Sequence, residues 1–227
     1  MIKKDYLRGI SPPEDEKTLI DRAYLLAGYT LSELGGSNIP IKLQYHKGWV
    51  GMLMEKYLGA DAGNQSKPDF TRIGVELKTI PVNSNGIPLE NTFICGVSLI
   101  NTIGLTWELS SVRKKLIRVL WIPIEGSRKI PLSKRRIGSP FLWSPSTQQE
   151  LYLRRDWEDF MDSITFGKIE DITARNGEFL QIKTKSSSSK CLTEAYDKYA
   201  HRIRTRPRGF YLKKSFTNLI LKSQFFE

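Results

Sequence analysis

Residues 67–80, Lys-Pro-Asp-Phe-Thr-Arg-Ile-Gly-Val-Glu-Leu-Lys-Thr-Ile, leave the chain little structural choice. Their second half reads as a strand. Side chains alternate faces along a strand, so Gly74, Glu76 and Lys78 share one face and Val75, Leu77 and Thr79 take the other. The apolar set can enter a core while a carboxylate and an ammonium face one cleft. Asp69 lies upstream, beyond Arg72 and Ile73, and a turn between the segments would bring it beside Glu76. Adjacent carboxylates repel, and a hard divalent cation relieves the repulsion. Mg²⁺ favours one or two carboxylates plus water and phosphate oxygens. A lysine on the same face can hold a phosphate or orient an attacking water, a combination suited to metal-assisted phosphodiester hydrolysis. By itself the pattern is weak, and an exposed strand face with one salt-bridged pair is the simpler reading of it.

The 227 residues suffice for one large domain or two small lobes, and a hydrophobic content of 40% can fill a core. Lys and Arg number 35 against 24 Asp and Glu, giving a net charge of +11 and an expected polyanionic partner. A membrane surface is the competing polyanion. However, no apolar run approaches the roughly 18 residues of a membrane span, and Met1-Ile2-Lys3-Lys4 precedes no signal-peptide stretch. A nucleic acid, with no membrane, is therefore expected. Cys95 and Cys191 are far apart, which points to a cytoplasmic chain without a disulfide scaffold. His46 and His201 add no zinc spacing, and no Gly-x-x-x-x-Gly-Lys-Ser/Thr loop for ATP is present.

Residues 11–34 read as two helices, the first opening at Ser11-Pro12-Pro13-Glu14 and the second capped by Thr30. Residues 47–58 read as a helix with Val50, Met54 and Tyr57 or Leu58 in its apolar stripe. Glu55 lies at the stripe edge, near Gly51 and Gly59, and a solvated glutamate is the simpler reading of it. Asn83-Ser84-Asn85-Gly86 signals a hairpin turn, and residues 92–97 a buried strand in which Cys95 is a small core residue. Residues 146–168 read as one long helix with Leu151, Trp157, Phe160, Met161 and Ile164 inward. Its acids Asp156, Glu158, Asp159 and Asp162 would not lie on DNA. Two further strands are expected at residues 171–174 and 177–183, and Phe216, Leu219, Ile220 and Phe225 form a closing amphipathic helix.

Basic residues concentrate in three places. Arg113, Lys114, Lys115 and Arg118 precede the apolar strand Val119-Leu120-Trp121-Ile122 and can grip phosphates. Arg128, Lys129, Lys134, Arg135 and Arg136 extend that footprint or form a solvated loop. The four serines 186–189, between Lys185 and Lys190, suit a DNA-contacting loop or a linker. Beyond them Arg202, Arg204, Arg206 and Arg208 alternate, which on an extended segment gives an arginine ridge for phosphates or guanine edges. Phe210, Tyr211, Lys213 and Lys214 follow.

Several blocks closely resemble the MutH family of mismatch-repair endonucleases. They are Lys47-Gly48-Trp49-Val50-Gly51, Leu58-Gly59-Ala60, Gly74-Val75-Glu76-Leu77-Lys78-Thr79-Ile80-Pro81, Pro88-Leu89-Glu90-Asn91-Thr92-Phe93, Val119-Leu120-Trp121-Ile122-Pro123 and Pro207-Arg208-Gly209-Phe210-Tyr211-Leu212-Lys213-Lys214. The resemblance runs from about Ser11 to Phe226 in one order. It implies an α/β fold of the restriction-endonuclease type: a mixed sheet flanked by helices, with two lobes around a DNA cleft, within one domain of residues 1–227. It also implies that the nucleic acid is double-stranded DNA, with nicking of the unmethylated strand before the G of hemimethylated GATC sites and unmethylated sites also bound. Activation by MutL after MutS finds a mismatch, and a monomeric state, belong to the same expectation.

By the same resemblance the catalytic set is Glu55, Asp69, Glu76, Lys78 and Lys115. Mg²⁺ is expected on Asp69, Glu76 and the Leu77 carbonyl, with Glu55 completing the set. DNA contacts are expected from Lys47, Phe93, Arg113, Lys183, Lys185, Arg208, Tyr211 and Lys213, with Tyr211 sensing the adenine N6 position. The chain departs from the family pattern at Tyr45-His46, where Arg-Asp is usual, and at Lys183, where arginine is usual. Lysine loses the bidentate fork. A GATC-specific restriction enzyme cutting both strands, or a DNA-binding module without catalysis, remains the alternative reading.

Overall fold

The computed structural model describes residues 10–36, 39–40, 48–63, 65–185 and 191–225. In chain order the elements are α1 (Glu16–Tyr24), α2 (Leu31–Gly35), α3 (Trp49–Leu58), β1 (Glu76–Val82), β2 (Thr92–Gly96), α4 (Ser111–Leu116), β3 (Val119–Glu125), β4 (Phe141–Trp143), α5 (Thr147–Thr165), β5 (Leu180–Thr184), β6 (Thr193–Tyr196), β7 (Arg202–Thr205), β8 (Arg208–Leu212) and α6 (Lys214–Phe225). They divide between two compact units. The first comprises the described residues up to Glu90, Arg118–Ser144 and those from Ile220 on; the second comprises Asn91–Ile117 and Pro145–Leu219.

In the first unit a sheet runs β1-β3-β4, with β3 in the middle. β1 and β3 are parallel, Glu76 lying opposite Val119 and Lys78 opposite Trp121. β4 is antiparallel to β3. A parallel pair needs a long crossover, and this one carries Asn91–Ile117 of the second unit. β3 is buried from Val119 to Ile124, as an unbroken apolar run covered on both faces should be. Leu120, Ile122 and Ile124 join Leu77 in one core with Leu19, Leu31, Met54, Leu58 and Phe70. Trp121, on the other face, meets Trp143 edge-on at 6.3 Å between centroids.

The helix starts follow capping chemistry. α1 opens at Asp15, not Ser11: its carboxylate accepts the Thr18 N–H at 2.6 Å, whereas the prolines at 12 and 13 hold the preceding residues extended. Thr30 and Glu33 form the capping box of α2. Met54, Tyr57 and Leu58 bury the stripe of α3, which begins after Gly48. Lys47 lies outside the described residues, as do Tyr45, His46 and the serines 186–189. At the expected hairpin turn, Asn83 Oδ1 accepts the amides of Asn85 and Ile87, and Val82 bridges Pro88. Arg135 and Arg136 tie loops together: Arg136 donates to the Gly28 carbonyl at 2.7 Å, and Arg135 to the carbonyls of Ile130 and Ser127.

In the second unit β8 is the middle strand of β2-β8-β5, antiparallel to both neighbours, and β6 and β7 pair separately. α5 has the capping box Ser146–Gln149. Its buried face is Leu153, Trp157, Phe160, Met161 and Ile164, while Leu151 is exposed. The spacing of 153, 157, 160 and 164 sets the stripe and turns Leu151 away from it. Leu219 and Phe225 of α6 are likewise partly exposed, although Phe225 meets Phe141 edge-on at 5.3 Å within the first unit. Cys95 is buried. Residues 171–174 form no strand: a single 3₁₀ turn, Ile169–Asp171, leads into a turn in which Asn176 Oδ1 accepts the Thr173 N–H at 2.7 Å.

Asp156 explains why the strand starts only at Leu180. It is no surface acid: at 2% exposure its carboxylate accepts the amides of Glu178, Phe179 and Leu180 at 2.6–2.9 Å. No described helix is long and apolar enough to cross a membrane. Asp156→Ala leaves three amide donors without their acceptor and is expected to cost about 3 kcal/mol of stability, read by urea denaturation. A loss well under about 1 kcal/mol would show that those amides find other partners.

Candidate active site

Phe70, buried to 1% exposure, anchors the turn that leads into β1. It bridges Val75, its N–H donating to the Val75 carbonyl at 3.0 Å. Gly74 closes the turn at φ +68°, a backbone region that favours glycine. It therefore precedes the strand instead of sharing a strand face with Glu76 and Lys78. The turn delivers the Asp69 carboxylate to the Leu77 N–H at 2.8 Å.

Strand parity explains why that amide is available. Glu76 donates its N–H to the Arg118 carbonyl at 3.0 Å. In a parallel ladder the neighbouring residue points its N–H and C=O the opposite way. β1 is an edge strand, so the Leu77 amide and carbonyl point outward, on the edge where Asp69 arrives. Pro81 has the same parity, and its carbonyl accepts the Leu89 N–H on that edge.

Glu76 is 1% exposed, and its carboxylate is bonded to the Lys78 ammonium, whose side chain is 14% exposed. Glu76 is thus buried and Lys78 half-buried, unlike an exposed strand face. Glu55 is half-buried on α3. A Cβ added at Gly51 would lie in ordinary contact with Glu55 Oε1, at 3.9 Å, so that carboxylate is not crowded from the preceding turn. Among the described residues, no three His, Cys, Asp or Glu side chains gather as a metal set; Glu55, Asp69 and Glu76 do not close into a triad. Two carboxylates and a backbone carbonyl fit a hard cation that keeps water and phosphate among its ligands. Lys115 belongs to the second unit, half-buried in the last turn of α4.

The expected DNA-contacting residues fall into two groups. Phe93 on β2 lies opposite Tyr211 on β8, and their rings meet edge-on at 5.3 Å. Lys183 Nζ stands 5.9 Å from the Tyr211 ring centroid and Lys185 Nζ 4.4 Å from that of Phe93. Gly209 makes room for both rings: a Cβ there would meet Phe93 at 2.9 Å and Tyr211 at 3.3 Å. These four side chains form one aromatic and cationic cluster.

Among the described residues, Arg113, Arg208 and Lys213 have internal partners. Arg208 donates to Thr184 Oγ1 at 2.6 Å and to Glu170 at 2.8 Å. Thr205 and then Arg208 hold the Glu170 carboxyl below its usual range. The four-arginine ridge is broken, because Arg202 and Arg204 lie on β7 and Arg208 on β8. Arg113 donates to Glu150 at 2.7 Å and holds its carboxyl low. Lys213 Nζ donates to the Gly177 carbonyl at 2.5 Å. Arg118 is clamped on Glu16 through two nitrogens, so the carbonyl that receives Glu76 belongs to a residue fixed at its other end. No sequence signal reveals that pair, whose members are far apart in the chain.

Small mixed sheets flanked by helices are the arrangement of restriction-endonuclease-type nucleases, which generally use a divalent metal. Residues 58–156 match the model of the family described as DNA mismatch repair enzyme MutH. The DNA mismatch repair protein MutH of Yersinia enterocolitica is 55% identical over 95% of this chain and 96% of its own. The MutH proteins of Escherichia coli and Photorhabdus laumondii are 55% and 54% identical over the same shares. The chain belongs to the MutH family.

Arg118 holds the Glu16 carboxyl below its usual range. A lowered carboxyl stabilises the fold above the ordinary carboxylate range and stops doing so as pH falls through the lowered value. Glu16→Gln is therefore expected to cost about 1 kcal/mol at neutral pH and to converge with the wild type in acid, in denaturation curves at both conditions. A gap that persists unchanged in acid would contradict the pairing.

Proposed function

We propose that this chain is a Mg²⁺-dependent endonuclease of DNA mismatch repair that nicks the unmethylated strand at hemimethylated GATC sites and is activated by MutL. The Asp69 carboxylate on the Leu77 amide, next in sequence to the Glu76–Lys78 ion pair at the start of β1, carries the proposal, and membership of the MutH family supports it. The Asp69 and Glu76 carboxylates and the Leu77 carbonyl would hold the ion, and Glu55 would complete the set. When bound, Mg²⁺ supplies Lewis acidity at the scissile phosphate and lowers the pKa of a water. Lys78 orients the attacking water while Glu76 fixes its ammonium. Lys115 stabilises charge on the phosphate.

Recognition rests on the cluster of Phe93, Tyr211, Lys183 and Lys185. An ammonium near an aromatic ring is attracted to its face and can reach a phosphate, so the cluster can meet a base edge and the backbone together. A methyl group on the adenine N6 would meet the Tyr211 ring, which makes that tyrosine the discriminator of the methylated strand. Arg113, Arg208 and Lys213 reach DNA only by adding contacts to those they already make, and Lys47 supplies a further cation.

The test is a circular DNA with one GATC site, unmethylated, hemimethylated or fully methylated, with Mg²⁺ and with or without MutL and ATP. Nicked circles from the first two only, increased by MutL, are expected. Linear product without MutL dependence would favour a restriction enzyme, and GATC binding without cleavage a non-catalytic module. Asp69→Ala, Glu76→Ala and Lys78→Ala should each lose at least about 100-fold in nicking rate with GATC binding retained. Normal nicking by all three would remove their assigned roles.

A further inference from the structure

The C-terminal end of α3 is bonded to the turn that carries Asp69. The Glu55 carbonyl accepts the amides of Gly59 and Ala60, each at 3.0 Å. The next two residues then bond to Asp69: its carbonyl accepts the Asp61 N–H at 3.0 Å and the Ala62 N–H at 3.2 Å. The Asp61 side chain grips the turn two residues further on. Its Oδ1 accepts the Thr71 N–H at 2.8 Å and its Oδ2 the Thr71 hydroxyl at 2.6 Å. Asp69 is thus held through its own carbonyl, through Thr71, and through its carboxylate on the Leu77 amide.

From this bracket we propose that Asp61 is a positioning residue for Asp69, fixing its carboxylate for the divalent ion and so setting the affinity of the site for that ion. The inference rests on the metal-dependent reading above. Asp61 and Thr71 are both exposed, so their bond adds little to folding, since surface hydrogen bonds largely replace bonds to water. What the bond restricts is the path from α3 through Asp69 to β1. Glu55 heads that path and Leu77 ends it, so one bracket spaces three of the proposed donors. Partners that orient metal-binding groups have large effects on affinity although they never touch the ion.

The test uses Mn²⁺ alone as the probe, titrated into the full chain and followed by water-proton relaxation, with melting temperature recorded alongside. Asp61→Ala is expected to weaken Mn²⁺ binding about 10-fold, with little change in melting temperature. Asp61→Asn keeps an acceptor for the Thr71 amide and a partner for its hydroxyl, and should restore most of the affinity. Thr71→Val should weaken binding less, and Asp61→Ala should then cost less in that background, because the two act through one bond. The nicking rate of Asp61→Ala should recover at high Mg²⁺.

Wild-type Mn²⁺ affinity in Asp61→Ala would overturn the proposal. So would equal losses in Asp61→Asn and Asp61→Ala, which would make charge and not geometry the cause, or a fall in melting temperature with affinity unchanged. Mn²⁺ bound by the wild type and lost in Asp69→Ala, but with no cleavage of any GATC circle, would instead overturn the nuclease reading and leave the result for Asp61 in force.

Discussion

Glu76 donates its amide to the Arg118 carbonyl, and from that bond β1 and β3 stay in parallel register to Val82 and Glu125. Register fixes parity. With Glu76 bonded inward, the Leu77 amide and carbonyl point outward, and Asp69 finds a donor on the open edge. Parity also sends Leu77 into the core with Leu120 and Ile122, while Glu76 and Lys78 take the face of Trp121. A slip by one residue would exchange those faces and bury Lys78 in the leucine core. The site is thus a consequence of how one strand is seated.

Much of the positive charge is already engaged within the fold: Lys78 and Lys213 hold internal acceptors, and many arginines do the same. Arg113, Arg118, Arg135, Arg136, Arg154 and Arg208 each donate to a carboxylate or backbone carbonyl. The planar guanidinium fork suits such fixed bonds. Lys183 and Lys185 instead stand over aromatic rings, where a flexible stem lets the ammonium turn to an outside anion. Net charge pointed correctly to a polyanion but overstated how many arginines are available to meet one.

Much of the candidate site's local geometry was legible because it lies within one short stretch. Residues 67–80 hold both carboxylates, the lysine and the turn, and the alternation that defines a strand acts over a few residues. Thr30 marked the start of α2 as a cap for the same reason. Long-range features were not legible. Nothing near Asp156 in sequence says that residues 178–180 will present their amides to it, so it read as one more surface acid. Leu151 is as apolar as Leu153, and only the packing of α5 in the second unit shows that Leu153 is the one buried. The arginines 202–208 alternate perfectly, yet the break at Pro207 divides them between strands with different partners.

Both compact units are assembled from separated stretches of chain, and the order of those stretches constrains synthesis. Residues 220–225 pack in the first unit, where Phe225 meets Phe141, yet a ribosome delivers them only after the second unit has been made. The β1–β3 ladder must likewise wait for a long excursion to return. Contacts closed over such distances are slow to form, and partly assembled chains expose apolar surface meanwhile. The nascent protein therefore carries an unfinished sheet through most of its translation, and the final turns of α6 seal it.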